Sequence, residues 1–381
     1  MQKLHRFYAL DGLRGICALS VVIFHMHVAG TFTELPFFRH AQLFVEFFFV
    51  LSGFVLTHTY GSRINLEFKN FLISRTFRLF PLHLFMLAIF IVLELAKLAA
   101  YKKGIQFNDI PFTGVNSVLQ ILPNLLLIQS WTHATEFLSF NYPAWSISVE
   151  YYMYVIFGLI ILYIFSYRKI VWLFISLVAF TLIYAKSTIF TGPSLSGLSC
   201  FFAGALTYLL FDSFREKISL LFWQVTLLEI FLTLLVIAAI TLDFNHKEII
   251  CSFLFCVVVI VFALDQGIIS AVLKRNFFES LGKLSYSIYL THAAIVFVVI
   301  SSFIAAQKLL GTPFSSMIGG VRMIDTGSDV LNNVVVLLTL GVVILFSMLT
   351  YRMIEMKGQQ YGKKLIVRQK SKPPAVKPTA P

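Results

Sequence analysis

The chain has 381 residues, of which 58% are hydrophobic and 13% are charged. Soluble domains carry about 25% charged residues, so this composition excludes a soluble protein and indicates an integral membrane protein. The 30 lysines and arginines exceed the 18 acidic residues, which gives a formal net charge of +12. Basic segments beside an anionic membrane leaflet account for this excess, so membrane lipids are expected partners and nucleic acid is not.

The four cysteines predict neither disulfide bonds nor metal binding. All of them lie within apolar runs, and none has the CxxC or CxxH spacing of a zinc site: Cys17, Cys200, Cys251 and Cys256. We therefore expect buried or lipid-facing thiols and no metal ligands.

Ten segments are apolar over about the 20 residues that a membrane span requires. In chain order they cover residues 8–29, 41–60, 80–100, 144–166, 170–187, 194–211, 221–242, 248–264, 284–306 and 331–352. The first lacks a small-residue cleavage pattern after it, which favours a retained span over a removed signal. Lysine and arginine concentrate in alternate loops, so both termini are predicted to be cytoplasmic. The sequence thus predicts an all-α polytopic membrane protein with about ten transmembrane helices.

Two regions are expected along the chain. Residues 1–352 are predicted to form a single membrane domain. Residues 353–381 include the stretch GKKLIVRQKSKPPAVKPTAP, which is rich in proline, lysine and small residues and has little apolar surface to bury. This composition predicts a basic, disordered cytoplasmic tail.

The first predicted span carries ionisable residues along one stripe. Arg14 and His25 are eleven residues apart, which returns to within about 20° of the same helix face. Asp11 lies three residues before Arg14 and is placed to pair with it, lowering the cost of both charges. The helical rise separates Arg14 and His25 by about 16 Å, so we expect them to act at different depths.

Counting residues from the span ends places the ionisable groups in two layers. The outer layer contains one histidine and two carboxylates: His25, Glu46 and Glu150. The inner layer contains three arginines and one aspartate: Arg14, Arg75, Arg78 and Asp11. His292 is predicted to lie between the two layers.

These two layers suit two different chemical tasks. A histidine beside a carboxylate can be kept basic enough to accept a hydroxyl proton, which is the work of a general base. Arginines are planar, permanently charged donors that suit phosphate groups. A substrate with a phosphate-rich head in one layer and a reactive group about 15 Å away would match both. Coenzyme A thioesters have that shape.

Five motifs resemble, in the same order, those of the acyltransferase-3 family of membrane acyltransferases. They are LDGLRGICALSVVIFH, VEFFFVLSGFVL, RTFRLFPLHLF, WSISVEYYMY and LGKLSYSIYLTH. The family includes O-acetyltransferases of bacterial surface polysaccharides. Two positions depart from its usual pattern: Glu46 stands in place of an aspartate, and Thr291 stands where a tryptophan often precedes the histidine.

The resemblance implies transfer of an acyl group, most often acetyl, from cytoplasmic acyl-CoA to a hydroxyl of a glycan or lipid-linked sugar. Acyl-CoA would be a substrate, so no permanently bound cofactor is expected, and the location would be a bacterial inner membrane. Carried onto this sequence, the resemblance implies that His25 is the catalytic histidine and Arg14 its motif partner.

Further roles follow from the two layers. We predict that Glu46 or Glu150 orients His25, which either deprotonates the acceptor or transiently carries the acyl group. Arg14 is predicted to bind the donor at its pantetheine arm or thioester side, and Arg75 and Arg78 are predicted to hold the phosphates of CoA.

Other interpretations stay open at this stage. A transporter or flippase would also bury charges in about ten spans, although its usual inverted repeats with broken helices are not seen. A polytopic glycosyltransferase normally places acidic residues in a large outer loop, and residues 101–143 offer only Asp109 and Glu136. A structural subunit would need no buried charge, each of which costs about 2.5–3.5 kcal/mol on insertion scales.

The site residues also have structural interpretations. A charged side chain near a span's end can anchor the helix at the interface, and a buried histidine or glutamate can bond a neighbouring helix. Ser52 and His292 are expected to pack or to form hydrogen bonds. Gly53, in the LSGF motif, is expected to allow a close helix approach.

Overall fold

The computed structural model describes residues 6–63, 66–104, 109–217, 219–318 and 321–370. Within these ranges, eleven helices have at least 15 residues. They are α1 (Tyr8–Phe24), α2 (Phe44–Tyr60), α3 (Phe68–Lys102), α4 (Ala144–Tyr163), α5 (Arg168–Tyr184), α6 (Gly192–Phe214), α7 (Phe222–Thr241), α8 (Lys247–Phe262), α9 (Asn276–Leu310), α10 (Asp329–Thr350) and α11 (Met356–Lys370).

Shorter elements connect these helices. Three short α-helices cover Pro36–Arg39, Ile121–Leu125 and Ile268–Leu273. Turns of 3₁₀-helix cover Phe32–Glu34, Ala41–Leu43, Gly114–Asn116, Val118–Gln120 and Phe165–Tyr167, and a π-helical turn covers Tyr351–Glu355. Between α9 and α10, the antiparallel strands β1 (Ser315–Ile318) and β2 (Val321–Ile324) form a hairpin that the sequence did not predict.

Each predicted span overlaps a helix of the structure. In the described part of the chain, eight helical segments are long and apolar enough to cross a membrane. The remaining two predicted spans correspond to α1 and α8, which have 17 and 16 residues. The all-α membrane class is therefore confirmed, whereas the number of ten spans and the position of the termini stay predictions.

Residues 353–370 differ from the disordered tail that the composition predicts. They complete the π-helical turn and form α11, which packs against α3. A Cβ atom at Gly358 would lie 2.6 Å from Cγ of Pro81, so glycine allows the two helices to approach closely. Packing against α3 thus orders this part of the predicted tail. Residues 371–381 lie outside the described residues.

The helices α2 and α6 are also in close contact. A Cβ atom at Gly53 would lie 1.9 Å from the carbonyl oxygen of Phe201, and one at Gly204 would lie 1.9 Å from that of Val50. The predicted close approach at Gly53 is confirmed. Small residues at such crossings let backbones meet where lipid provides no hydrophobic driving force.

We expect Gly204→Ala to destabilise the protein by about 1–3 kcal/mol, because the added methyl group forces α2 and α6 apart. The measurement is the thermal unfolding temperature of the purified protein in detergent. Gly341→Ala is the matched control, since a Cβ atom at Gly341 meets no other atom within 4 Å. Equal unfolding temperatures for the two variants would contradict the prediction.

Candidate active site

Two neighbouring cavities contain most of the predicted site residues. The first has a volume of about 460 Å³, and we name it the arginine cavity because three arginines line it: Arg14, Arg75 and Arg78. The second has a volume of about 850 Å³, and we name it the histidine cavity because His25 lines it. Val45 and Tyr289 line both cavities, so the two are adjacent at these side chains.

The packing of α1 on α9 positions Arg14 and His25. Glycines bring the two backbones together: a Cβ atom at Gly15 would lie 2.7 Å from the carbonyl carbon of Leu281, and one at Gly282 would lie 2.2 Å from the carbonyl oxygen of Asp11. Because α1 runs along α9, Arg14 and His25 contact different turns of α9, at Gly282 and His292, and they line different cavities. The predicted separation in depth agrees with this arrangement.

His25 directly follows the last residue of α1, which ends earlier than the predicted span 8–29. Its Nδ1 lies 2.9 Å from the carbonyl oxygen of Val21 and 3.3 Å from Nε2 of His292. A carbonyl oxygen only accepts, so Nδ1 of His25 carries the proton. By the same argument Nδ1 of His292 is protonated, because it lies 3.3 Å from the carbonyl oxygen of Ile288. Nε2 of His292 is then the acceptor in the histidine pair.

This assignment leaves Nε2 of His25 unprotonated. The tautomer is inferred from the hydrogen-bond partners, and among the described residues no hydrogen bond reaches this nitrogen. The ring of Tyr142 lies beside it, with ring centroids 4.6 Å apart. Since His25 lines the histidine cavity, its Nε2 offers a lone pair to a ligand there.

Arg14 is fixed by three contacts in the arginine cavity. Its Nε donates to Oγ of Ser285 at 2.8 Å, and one terminal nitrogen donates to the carbonyl oxygen of Gly282 at 2.8 Å. The same terminal nitrogen lies 3.6 Å from a carboxylate oxygen of Asp11, which confirms the predicted pair. The guanidinium group is thus held in one place at the cavity.

Arg75 and Arg78 lie in the same cavity but have different surroundings. The guanidinium of Arg75 lies over the ring of Tyr154, 5.8 Å from its centroid, in cation–π geometry. Arg78 forms an ion pair with Glu355, at 3.6 Å. The Glu355 side chain is 1% exposed, and its other oxygen accepts from Oγ of Ser287 at 2.9 Å. Arg78 is therefore paired, whereas no ion pair involves Arg75 among the described residues.

Glu150 was predicted to share a layer with His25, and this prediction is wrong. Its carboxylate lines the arginine cavity, where it accepts hydrogen bonds from Oγ of Ser52, at 2.8 Å, and from the hydroxyl of Tyr154. Counting from the span end failed because it does not give the direction in which a side chain points, and Glu150 points to Ser52 on α2. The expected hydrogen-bonding role of Ser52 agrees with this contact.

Glu46 lines the histidine cavity, but a different group orients His25. The carboxylate of Glu46 accepts from Oγ of Ser252 at 3.0 Å, and Ser252 also contacts the thiol of Cys200 at 3.2 Å. The ring of His25 is instead held by Val21 and His292. The prediction that Glu46 or Glu150 orients His25 is wrong, because the hydrogen bonds of Glu46 go to Ser252 and those of Glu150 to Ser52 and Tyr154.

Four residues that line or support the cavities were not predicted from the sequence: Tyr289, Glu355, Gln359 and Lys363. Tyr289 lies three residues before His292 on the same helix face, a spacing that could have identified it. Glu355 could have been found as an acidic residue directly after an apolar span. Gln359 and Lys363 carry no local signal, because they reach the cavity only when α11 docks on α3.

Curated relatives match parts of the chain. "Protein 2 in picA locus" of Rhizobium radiobacter is 41% identical over 25% of this chain and 46% of its own. "Acyltransferase MdmB" of Streptomyces mycarofaciens is 32% identical over 40% of this chain and 39% of its own. YrhL of Bacillus subtilis (strain 168), provisionally named a peptidoglycan O-acetyltransferase, is 28% identical over 40% of this chain and 23% of its own.

The chain thus spans less than half the length of each of these relatives. No solved structure matches it significantly. A family model covers more of this chain than these relatives do: the acyltransferase domain model named Acyl_transf_3 matches residues 7–352. This range contains the motifs that supply Arg14, His25 and Glu150. The chain therefore belongs to the acyltransferase-3 family.

Proposed function

We propose that the protein transfers an acyl group, acetyl in the first instance, from cytoplasmic acyl-CoA to a hydroxyl of an envelope glycan or lipid-linked sugar. One observation carries the proposal: a cavity with three arginines adjoins a cavity with an available imidazole nitrogen, and the two meet at Val45 and Tyr289. The family and the names of two relatives support acyl transfer as the reaction class.

The arginine cavity suits the donor. Arg14, Arg75 and Arg78 present permanent positive charge to the phosphates of CoA. The volume of about 460 Å³ is in the usual range for small-molecule sites. With its phosphates here, the pantetheine arm extends towards Tyr289 and places the thioester at the boundary between the cavities.

The histidine cavity suits the acceptor and the proton transfer. Nε2 of His25 accepts the proton of the acceptor hydroxyl, and the hydroxyl oxygen attacks the thioester carbonyl. Collapse of the tetrahedral intermediate breaks the carbon–sulfur bond, forms the ester and releases the CoA thiolate. The proton held by His25 then passes to the thiolate or to water, which restores the neutral ring. His292 keeps the ring in the required tautomer by accepting from Nδ1.

The second candidate function, transport of a solute through the protein, is less well supported. Transport requires a route that joins both cavities. Val45 and Tyr289 are buried at their boundary, with 4% and 5% exposure, and Tyr289 is fixed by a 2.9 Å hydrogen bond from Oγ of Ser146. This arrangement favours a reaction at the boundary over passage through it.

The test uses inverted membrane vesicles from cells that express the protein, and acetyl-CoA labelled on the acetyl group. We expect label to move to an envelope glycan or lipid fraction while free CoA thiol is released. Sealed vesicles of the opposite orientation, with acetyl-CoA outside, are expected to give no transfer. Vesicles without the protein are the control. Absence of donor consumption in both orientations would contradict acyl transfer, and consumption only in the second would contradict the proposed orientation.

A further inference from the structure

The helix α11 forms part of the arginine cavity. Gln359 and Lys363 from this helix line the cavity together with the arginines of α1 and α3. Both residues lie beyond residues 7–352, where the family match ends. The motifs of the family therefore assign no role to α11.

Two sets of contacts, one with the Glu355–Arg78 ion pair and one with α3 at Phe77, hold α11 beside the arginine cavity. Nε2 of Gln359 donates to Oε1 of Glu355 at 3.1 Å, and the same oxygen lies 3.6 Å from a terminal nitrogen of Arg78. One turn later, a Cβ atom at Gly362 would lie 2.7 Å from Cβ of Phe77, so the helix meets α3 closely there as well. The position of Lys363 relative to Arg78 is thus determined by packing.

Lys363 adds an unpaired positive charge to the cavity. Its side chain is exposed, and none of the ion pairs found in the described residues involves it. Arg14 and Arg78 are each partly neutralised, by Asp11 and by Glu355. A cation with no internal partner, at the solvent side of a cationic cavity, suits a ligand that carries several negative charges.

We propose that Lys363 is a further donor-binding residue, which contacts a phosphate of acyl-CoA at the entrance of the arginine cavity. This inference rests on the proposed function, because acyl-CoA is the ligand in both. CoA has a 3′-phosphate at one end and a pyrophosphate next to the pantetheine arm, so one molecule can contact both the arginines and Lys363. The helix α11 is then a wall of the donor site and not a dispensable tail.

The test compares Lys363→Gln with Lys364→Gln. Both variants lose one positive charge from the same helix. Lys364 is also exposed but does not line the cavity, so it controls for the loss of charge alone. We expect Lys363→Gln to raise the KM for acetyl-CoA and the Kd for free CoA about threefold to tenfold, with kcat unchanged. Lys364→Gln should behave like the unsubstituted protein. Lys363→Arg should restore donor affinity because it keeps the charge.

Several outcomes would overturn the inference. Equal KM and Kd values for Lys363→Gln and Lys364→Gln would show that Lys363 does not contact the donor. Failure of Lys363→Arg to restore affinity, or a lower unfolding temperature of Lys363→Gln, would indicate a structural role instead. In each of these cases the unsubstituted protein still binds CoA and consumes acetyl-CoA, so the proposed function stands. If the unsubstituted protein does neither, the proposed function itself fails.

Discussion

Replacement of His25 by alanine is expected to lower kcat for acyl transfer about 10²–10⁴-fold, the usual contribution of a positioned general base. The KM for acetyl-CoA should change little, because His25 lines the histidine cavity and the donor is proposed to bind in the arginine cavity. The measurement is the initial rate of CoA thiol release with saturating acceptor, at matched amounts of folded protein.

His133→Ala is the matched control for this prediction. His133 is exposed in the loop before α4, and among the described residues the one hydrogen bond found for its ring joins it to the carbonyl oxygen of Thr188, at 3.0 Å. A similar loss of activity in both variants would point to misfolding and contradict a specific role for His25. Release of one CoA per protein molecule without acceptor would indicate that His25 carries the acyl group covalently and does not act only as a base.

The double replacement Arg75→Gln and Arg78→Gln is expected to raise the KM for acetyl-CoA at least about a hundredfold. Each guanidinium is expected to form a charge-assisted hydrogen bond to phosphate, which is worth about 1.5–3 kcal/mol. The kcat should change much less, because neither arginine lines the histidine cavity, in which the proton transfer is proposed. Steady-state kinetics over a wide range of acetyl-CoA concentration separate the two effects.

Arg215→Gln controls for the loss of positive charge near the membrane. Arg215 pairs with Asp212 at 3.3 Å and lines neither cavity, so its replacement should leave donor affinity unchanged. A fall in kcat at unchanged KM in the double variant would remove both arginines from donor binding. That result would favour a role for Arg75 and Arg78 as anchors of α3 or as participants in the chemical step.

Local features of the site were predictable from the sequence. The pairing of Asp11 with Arg14 depends only on their spacing in one helix, and the close approach at Gly53 depends on one missing side chain. The hydropathy pattern located the helices, because a backbone in lipid must satisfy its own hydrogen bonds. Each of these inferences uses a physical constraint that acts within one segment.

Contacts between distant segments were not predictable in the same way. The pair of His25 and His292 joins residues 267 positions apart and depends on how α1 rotates against α9. Glu150 was misplaced because counting from a span end gives depth but not the direction in which a side chain points. In the structure it faces Ser52 and the arginine cavity. Rotation and tilt are set by packing, which a single sequence does not record.

The boundary at Val45 and Tyr289 also bears on the electrochemical gradient across the membrane. Both side chains are buried where the two cavities adjoin. In the proposed reaction the small acyl group crosses this boundary, followed by at most the proton that His25 gives to the thiolate, while CoA and the acceptor each stay on their own side. The proposed reaction would therefore need no continuous aqueous path for protons or metal ions. An enzyme that worked as proposed would modify molecules outside the membrane without an open path that discharges the electrochemical gradient across it.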